Sequence, residues 1–186
     1  MVKDKGFNQN RKFLFLALLI SLVPSILVGT QLKKAASAPE IHDITTDTLN
    51  PPVFDDIVAL RNGAPNSLVY EYQGSAEKLS ELQRIAYPDL TTLTSSLSAK
   101  QAIERATDVL TAQGLDIVNV DHVKGVVEAT ATSFWYGFKD DVVVRIQATD
   151  QGSRIDLRSI SRVGRSDVGA NTARIRTFSK RFKAFE

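Results

Sequence analysis

The chain predicts an α+β fold: an antiparallel sheet of about four strands with helices packed on one face, preceded by an N-terminal membrane helix. Three observations carry that expectation. An uncharged run fills Phe13 to Thr30. Four alternating, strand-like runs follow one another between Leu115 and Val163 with short glycine-containing linkers. Amphipathic helical patterns stand on both sides of those runs, beginning at Ser98 and at Asp167.

As a helix rising about 1.5 Å per residue, the run from 13 to 30 approaches the hydrocarbon thickness of a bilayer. Lys3, Lys5, Arg11 and Lys12 precede it, which favours a cytoplasmic N-terminus, and Lys33 and Lys34 beyond it weaken that bias. Pro24 is tolerated in a membrane helix and kinks one. Ala36-Ser37-Ala38 has the small-x-small form of a signal-peptide cleavage site, so a cleaved signal is the alternative. The apolar run is longer than a usual signal core and a lysine pair intervenes, which favours an uncleaved anchor. Either way the domain is exported. The expected organisation is a cytoplasmic basic segment at 1–12, the anchor or signal sequence at 13–30, a linker and approach segment at 31–50, and an α+β domain at 51–186.

Pro51-Pro52 stops any helix, and Val53 to Leu60 reads as a short helix with Phe54, Ile57, Val58 and Leu60 as its apolar contacts. Asn62-Gly63 and Pro65-Asn66 mark a turn-rich loop. Leu79, Leu82 and Ile85 define a second short helix over Ala76 to Ile85, ending before Tyr87-Pro88. Ser98 and Gln101 form a capping box ahead of Ala102, Ile103, Ala106, Val109 and Leu110, and Gly114 closes that helix. The strands fall at about Leu115–Asp121, Val126–Trp135, Asp141–Thr149 and Arg154–Val163, joined as hairpins. Val168, Ile175, Phe178, Phe182 and Phe185 then share one stripe of a terminal helix over Asp167 to Phe185.

The net charge of +2 conceals blocks: +5 over residues 1–38, −8 over 39–138 and +5 over 139–186. The last block can meet a polyanion or anionic headgroups, or it can neutralise the acidic middle within the fold. The chain has no cysteine, which excludes disulfides, thiolate catalysis and cysteine-ligated metal centres. Its two histidines, His42 and His122, stand far apart and make no metal motif. No H-E-x-x-H, G-x-S-x-G, P-loop or G-x-G-x-x-G sequence is present. No cofactor is expected.

Three places bear side chains suited to a site. On the strand at 154–162, Arg154, Asp156, Arg158, Ile160 and Arg162 share one face, while Ile155, Leu157, Ser159 and Ser161 share the other. Arg145 and Gln147, with Glu128, Thr130 and Thr132, can join the first of these faces. Arginines so grouped can hold a phosphate or carboxylate bidentately. They equally suit a solvated face with cross-strand pairs such as Arg145 with Glu128. Second, Asn171 falls on the apolar stripe of the terminal helix, where Ser159, Ser161 or backbone must satisfy it. A structural lock of the strand–helix corner is the simpler reading, with Ser166 or Asp167 as cap. Third, Phe134-Trp135-Tyr136-Gly137-Phe138 places four aromatics around a hairpin, as core, cleft or membrane-facing lip. The acids Asp140-Asp141 are strand neighbours and so point oppositely, a poor acid/base pair.

Phe134-Trp135-Tyr136-Gly137-Phe138-Lys139-Asp140-Asp141 and the pattern Arg158-Ser159-Ile160-Ser161-Arg162-Val163-Gly164-Arg165-Ser166-Asp167-Val168-Gly169-Ala170-Asn171 resemble the bacterial domain of unknown function 1499 family. Ile41 to Asp47 with Pro51-Pro52-x-Phe54, and Tyr87-Pro88-Asp89, are similar to its N-terminal landmarks, so the resemblance covers nearly all of residues 40–182. It implies an envelope setting and brings no reaction and no catalytic residues.

The expected function is therefore a membrane-anchored envelope module that binds or assembles rather than catalyses. Its site is sought at Arg158, Ser159, Ser161, Arg162, Asn171, Arg174 and Trp135. Its partners are the membrane, through residues 13–30, and an anionic ligand, lipid headgroup or envelope protein. The alternative is a hydrolase using carboxylates near His42 and Asp43 or at the Asp140-Asp141 hairpin. Nucleic acid is not expected of an exported domain.

Overall fold

Alternating apolar residues from Val126 to Ser161 build the centre of the structure, because each strand there must bury one face on helices. A computed structural model of the chain describes residues 5–184, the side chains of 5–10 and 31–37 apart. Lys3, Lys5, Lys33, Lys34 and Phe185, as side chains, lie outside the described residues. The chain forms two units, Met1–Ala38 and Pro39–Glu186.

The first unit is one helix, α1 (Lys5–Ser37), with Pro24 inside it. Arg11–Thr30 is long and apolar enough to cross a membrane. Its hydroxyls bond the helix's own backbone: those of Ser21, Ser25 and Thr30 donate to the carbonyls of Leu18, Ser21 and Leu27. Such back-bonding leaves no hydroxyl unsatisfied in an apolar solvent.

The second unit is α+β as expected, with six strands where the sequence shows four. The four long strands are β3 (Asp116–Asp121), β4 (Val126–Thr132), β5 (Lys139–Thr149) and β6 (Gly152–Ser161). They form an antiparallel meander. The two extra strands are β1 (Asp43–Thr45) and β2 (Leu93–Ser95), three residues each, and both pair with the free edge of β6. Segments that short carry too few alternations to be read as strands. β1 also falls within residues assigned to the approach segment, so the folded unit takes in part of 31–50.

Helix α2 (Ala76–Ala86) and α3 (Ala99–Ala112) lie where the apolar spacing puts them, and the capping box of Ser98 and Gln101 is formed. Helix α4 (Ala170–Lys183) starts three residues later than expected. Ile103, Ala106 and Leu110 of α3 and Ile175, Phe178 and Phe182 of α4 pack on Val127, Ala129, Val142, Val144, Ile155 and Leu157. These alternate positions define the helix face of the sheet.

The opposite face is covered over much of its area, with Gln147 and part of Arg154 left exposed at one end. A segment from Asp47 to Leu68, including a 3-10 helix at Asp56–Arg61 in place of the α-helix expected over Val53–Leu60, lies across it. Phe54 and Ile57 bury Val143 and Ile160 there. Glu128, fully buried, accepts the backbone N–H groups of Asp55 and Asp56 at 2.7 and 2.9 Å and so caps the 3-10 helix. It therefore does not pair with Arg145, which turns to Asp47 and Asp156. Alternation marks which residues share a face, but a polar row under a covering loop reads like one in water.

Gly152 opens β6 at φ +134°, and a Cβ there would stand 2.1 Å from the carbonyl oxygen of Ser95. Gly152→Ala is expected to cost about 2 kcal/mol or more by dislodging β2, measurable as a lowered urea midpoint with unchanged slope.

Candidate functional site

The seven residues singled out from the sequence do not form one site. They fall in three places: two on opposite faces of the sheet, set by the two-fold alternation of β6, and one in the β4–β5 turn.

Ser159, Ser161, Asn171 and Arg174 meet on the helix face. Asn171 is fully buried one step inside α4. Its Oδ1 accepts from Ser159 Oγ and Arg174 Nη1, both at 2.6 Å. Its Nδ2 donates to Ser161 Oγ and to the backbone carbonyl of His42, both at 3.0 Å. Arg174 continues to Asp140 at 2.8 Å. The corner itself is held by Asp167, whose carboxylate accepts the N–H groups of Gly169 and Asn171 and thus caps α4. Burial pushes the Asp167 carboxyl above the ordinary carboxylate range against those two bonds.

Arg158 and Arg162 lie on the other face. Arg158, 3% exposed, binds both carboxylate oxygens of Asp43 at 2.9 and 2.6 Å. It also donates to the carbonyls of Pro52 and Leu68 and packs against the rings of Phe54 and Tyr70. Burial raises the Tyr70 hydroxyl pKa well above its ordinary value. Arg162 grips both oxygens of Asp141 and the carbonyl of Leu60, and Arg61 binds the same carboxylate from the covering segment. Burial pushes Asp141 up, but Arg162, Thr130 and Arg61 outweigh it, so its pKa lies below the ordinary carboxylate value. Further along this face, Arg145 and Arg154 share Asp47 and Asp156, with Thr46 and Thr92 completing Asp156.

The third place is the β4–β5 turn. Trp135 is 84% exposed, and Phe134, Tyr136 and Phe138 are exposed with it. Phe134 meets Trp135 edge to face and Tyr136 stacks on Phe138. Ser133 closes the turn: its carbonyl accepts the N–H of Gly137 and its hydroxyl accepts that of Phe138.

A family model described as "Protein of unknown function (DUF1499)" matches residues 43–182. The chain belongs to this family. The match begins at the first residue of β1 and ends within α4, so the DUF1499 region coincides with the sheet and its helices. Compared with the curated proteins, the chain finds no match. Within the DUF1499 region, the arginine–serine pattern that carries the resemblance is wired into the fold. Arg158 and Arg162 tie the covering segment to the sheet, while Ser159, Ser161 and Asn171 tie α4 to it.

Sequence reasoning missed the partners: Asp43 and Asp47 before the domain's first helix, Arg61 in the 3-10 helix, and Asn66, whose amide donates to the carbonyls of Ser161 and Gly164. Only the opposed signs of the charge blocks hinted at them. The basic C-terminal block does pair with the acidic middle, through Arg158–Asp43, Arg154–Asp47, Arg165–Glu40 and Arg176–Asp89. Among the described residues no group of three or more histidines and carboxylates is placed to hold a metal. A hollow of about 530 Å³ beside α3, lined by Lys100, Glu104, His122 and Lys124 among others, includes none of the predicted site residues.

Asp141→Asn leaves Arg61 and Arg162 without their shared charge and is expected to cost about 3–5 kcal/mol. Because the folded pKa of Asp141 is depressed, its stabilisation is present above the unfolded value of about 4 and is lost as pH falls through the folded value. Wild-type stability should therefore fall below pH ~4 more steeply than that of the variant, in urea titrations across that window.

Proposed function

We propose that the protein is a membrane-anchored, non-catalytic binding or assembly module of the cell envelope, with the DUF1499 domain on the extracytoplasmic side. The supporting observation is where unused chemistry remains. The conspicuous arginines and Asn171 have their hydrogen bonds inside the fold, whereas the aromatic tip at Phe134–Phe138 has no cover. Clustered exposed aromatics on a soluble domain mark an interaction surface. The apolar helix at Arg11–Thr30 with cations before it supports the anchor and its orientation. The carboxylates on which a hydrolase would depend are held by arginines: Asp43 by Arg158, Asp140 by Arg174, and Asp141 by Arg61 and Arg162. The binding reading is therefore preferred, and its surface is the tip with Trp135 rather than the buried arginines.

The lack of cysteine makes the topology directly testable. In intact cells made permeable only at any outer layer, Val123→Cys should react with a membrane-impermeant maleimide and Asn8→Cys should not. The reverse pattern would place the domain in the cytoplasm. For the surface, a photoreactive amino acid replacing Trp135 should give adducts in the membrane, while the same group replacing Val123, 98% exposed at the far end of β4, should not. Equal labelling at both positions would sink the assignment.

A further inference from the structure

The aromatic tip lies at the end of the sheet where the chain joins the domain. Asp43, the first residue of β1, stands opposite Ile160, which stands opposite Asp141 near the start of β5. The β4–β5 turn lies just beyond that start. Pro39 is fixed at the same end, since its carbonyl accepts the hydroxyl of Ser166, and Asp167 donates its N–H to the carbonyl of Ile41. Two or three strand spacings of about 4.8 Å separate β1 from β5 and β4, so the tip is roughly 10–15 Å across the sheet from the incoming chain. Helix α1 runs to Ser37 and the domain begins at Pro39, so residues 31–38 alone separate the apolar run from the domain, and as helix they rise only about 12 Å. Even fully extended at about 3.5 Å per residue, they reach no more than about 28 Å beyond the apolar run.

The chemistry of this end suits one particular surface. Phe134, Trp135, Tyr136 and Phe138 are exposed together, and Val163 and Val168 are exposed on the neighbouring connector. Val168 holds φ +53°, which a β-branched residue rarely adopts, between bonds that Ser166 and Asp167 make to residues 168, 169 and 171. Lys139, also exposed, follows the aromatics directly. Trp and Tyr rings with a flanking cation match the polar–apolar boundary of a bilayer, where the ring body is apolar and its N–H or O–H stays hydrated. A protein groove could take the rings as well, but it would not account for their position beside a short membrane tether.

Resting on the anchored-module reading, we propose that the tip formed by Phe134, Trp135, Tyr136 and Phe138 seats in the interfacial layer of the bilayer that holds α1. It gives the domain a second attachment to the lipid. Anchor and tip together then fix which side of the domain faces away from the membrane. Each attachment raises the local concentration of the other, so a tip too weak to bind lipid alone is engaged when tethered.

Trp135 is the chain's one tryptophan, so its emission reports the tip without labelling. The full chain is reconstituted into phosphatidylcholine vesicles, with and without lipids brominated at defined depths. The expected result is blue-shifted emission, quenched roughly two-fold by bromines near the carbonyl region and much less by bromines at the bilayer centre. Phe134→Ser combined with Phe138→Ser should abolish most of that quenching with an unchanged circular dichroism spectrum. Both residues are exposed, so the fold does not depend on them. Emission typical of water with no bromine quenching would overturn the proposal. If the photoreactive group at position 135 still gave protein adducts in cells, the module would bind a protein there, and only the lipid assignment would fall.

Discussion

The bidentate pair of Arg158 with Asp43 is the contact on which the domain's construction turns. Arg158 sits within β6, which pairs with β5 on one side and with β1 and β2 on the other, and Asp43 is the first residue of β1. One guanidinium holds β1 through Asp43, the covering segment through the carbonyls of Pro52 and Leu68, and the aromatic lid of Phe54 and Tyr70. A lysine could not replace it, because a point charge cannot make parallel bonds to one carboxylate while donating to two carbonyls in a plane. The desolvation of both charges offsets much of their attraction, so the pair contributes less to net stability than to selecting this arrangement over looser ones. A covering segment lacking long regular structure needs such selection.

The same logic repeats along the face. Asp141 takes Arg162 from the sheet and Arg61 from the cover. Glu128 takes two backbone donors from the start of the 3-10 helix. Asp47 and Asp156 balance Arg145 and Arg154. Each of these clusters joins a long strand to a short or irregular piece of chain, and the Arg145–Asp156 pair also ties β5 to β6. The apolar contacts there, Phe54 and Ile57 on Val143 and Ile160, form a much smaller cluster than the one under the helices. Apolar packing thus holds the helices, and charge pairing positions the cover.

How much of this was legible follows from the physics of each signal. The helices α3 and α4 and the long strands declared themselves because periodicity of 3.6 or 2 persists over enough residues to be read. Asn171 was legible as a buried polar position because it interrupts an apolar stripe, and Ser159 and Ser161 as its partners because they share a strand face. β1 and β2 were not legible, since three residues carry no period. Nor was the burial of Arg158, since alternation cannot distinguish water from a loop as the neighbour of a polar row. Trp135 was legible as a candidate and ambiguous as to burial, because aromatic residues at a hairpin serve core and surface alike.

By itself the sequence determined the membrane-apt helix, the α+β class, the absence of thiol chemistry and the segregation of charge, all properties of local composition and period. Only the tertiary structure decided that the arginine–serine pattern faces inward on both sides of β6, and that the aromatic turn stays uncovered beside the point where the chain joins the domain. Those outcomes depend on which segments meet across more than a hundred residues, as Asp43 meets Arg158. Contacts at that separation are set by the shape and charge of the assembled sheet, and no window of sequence contains both partners.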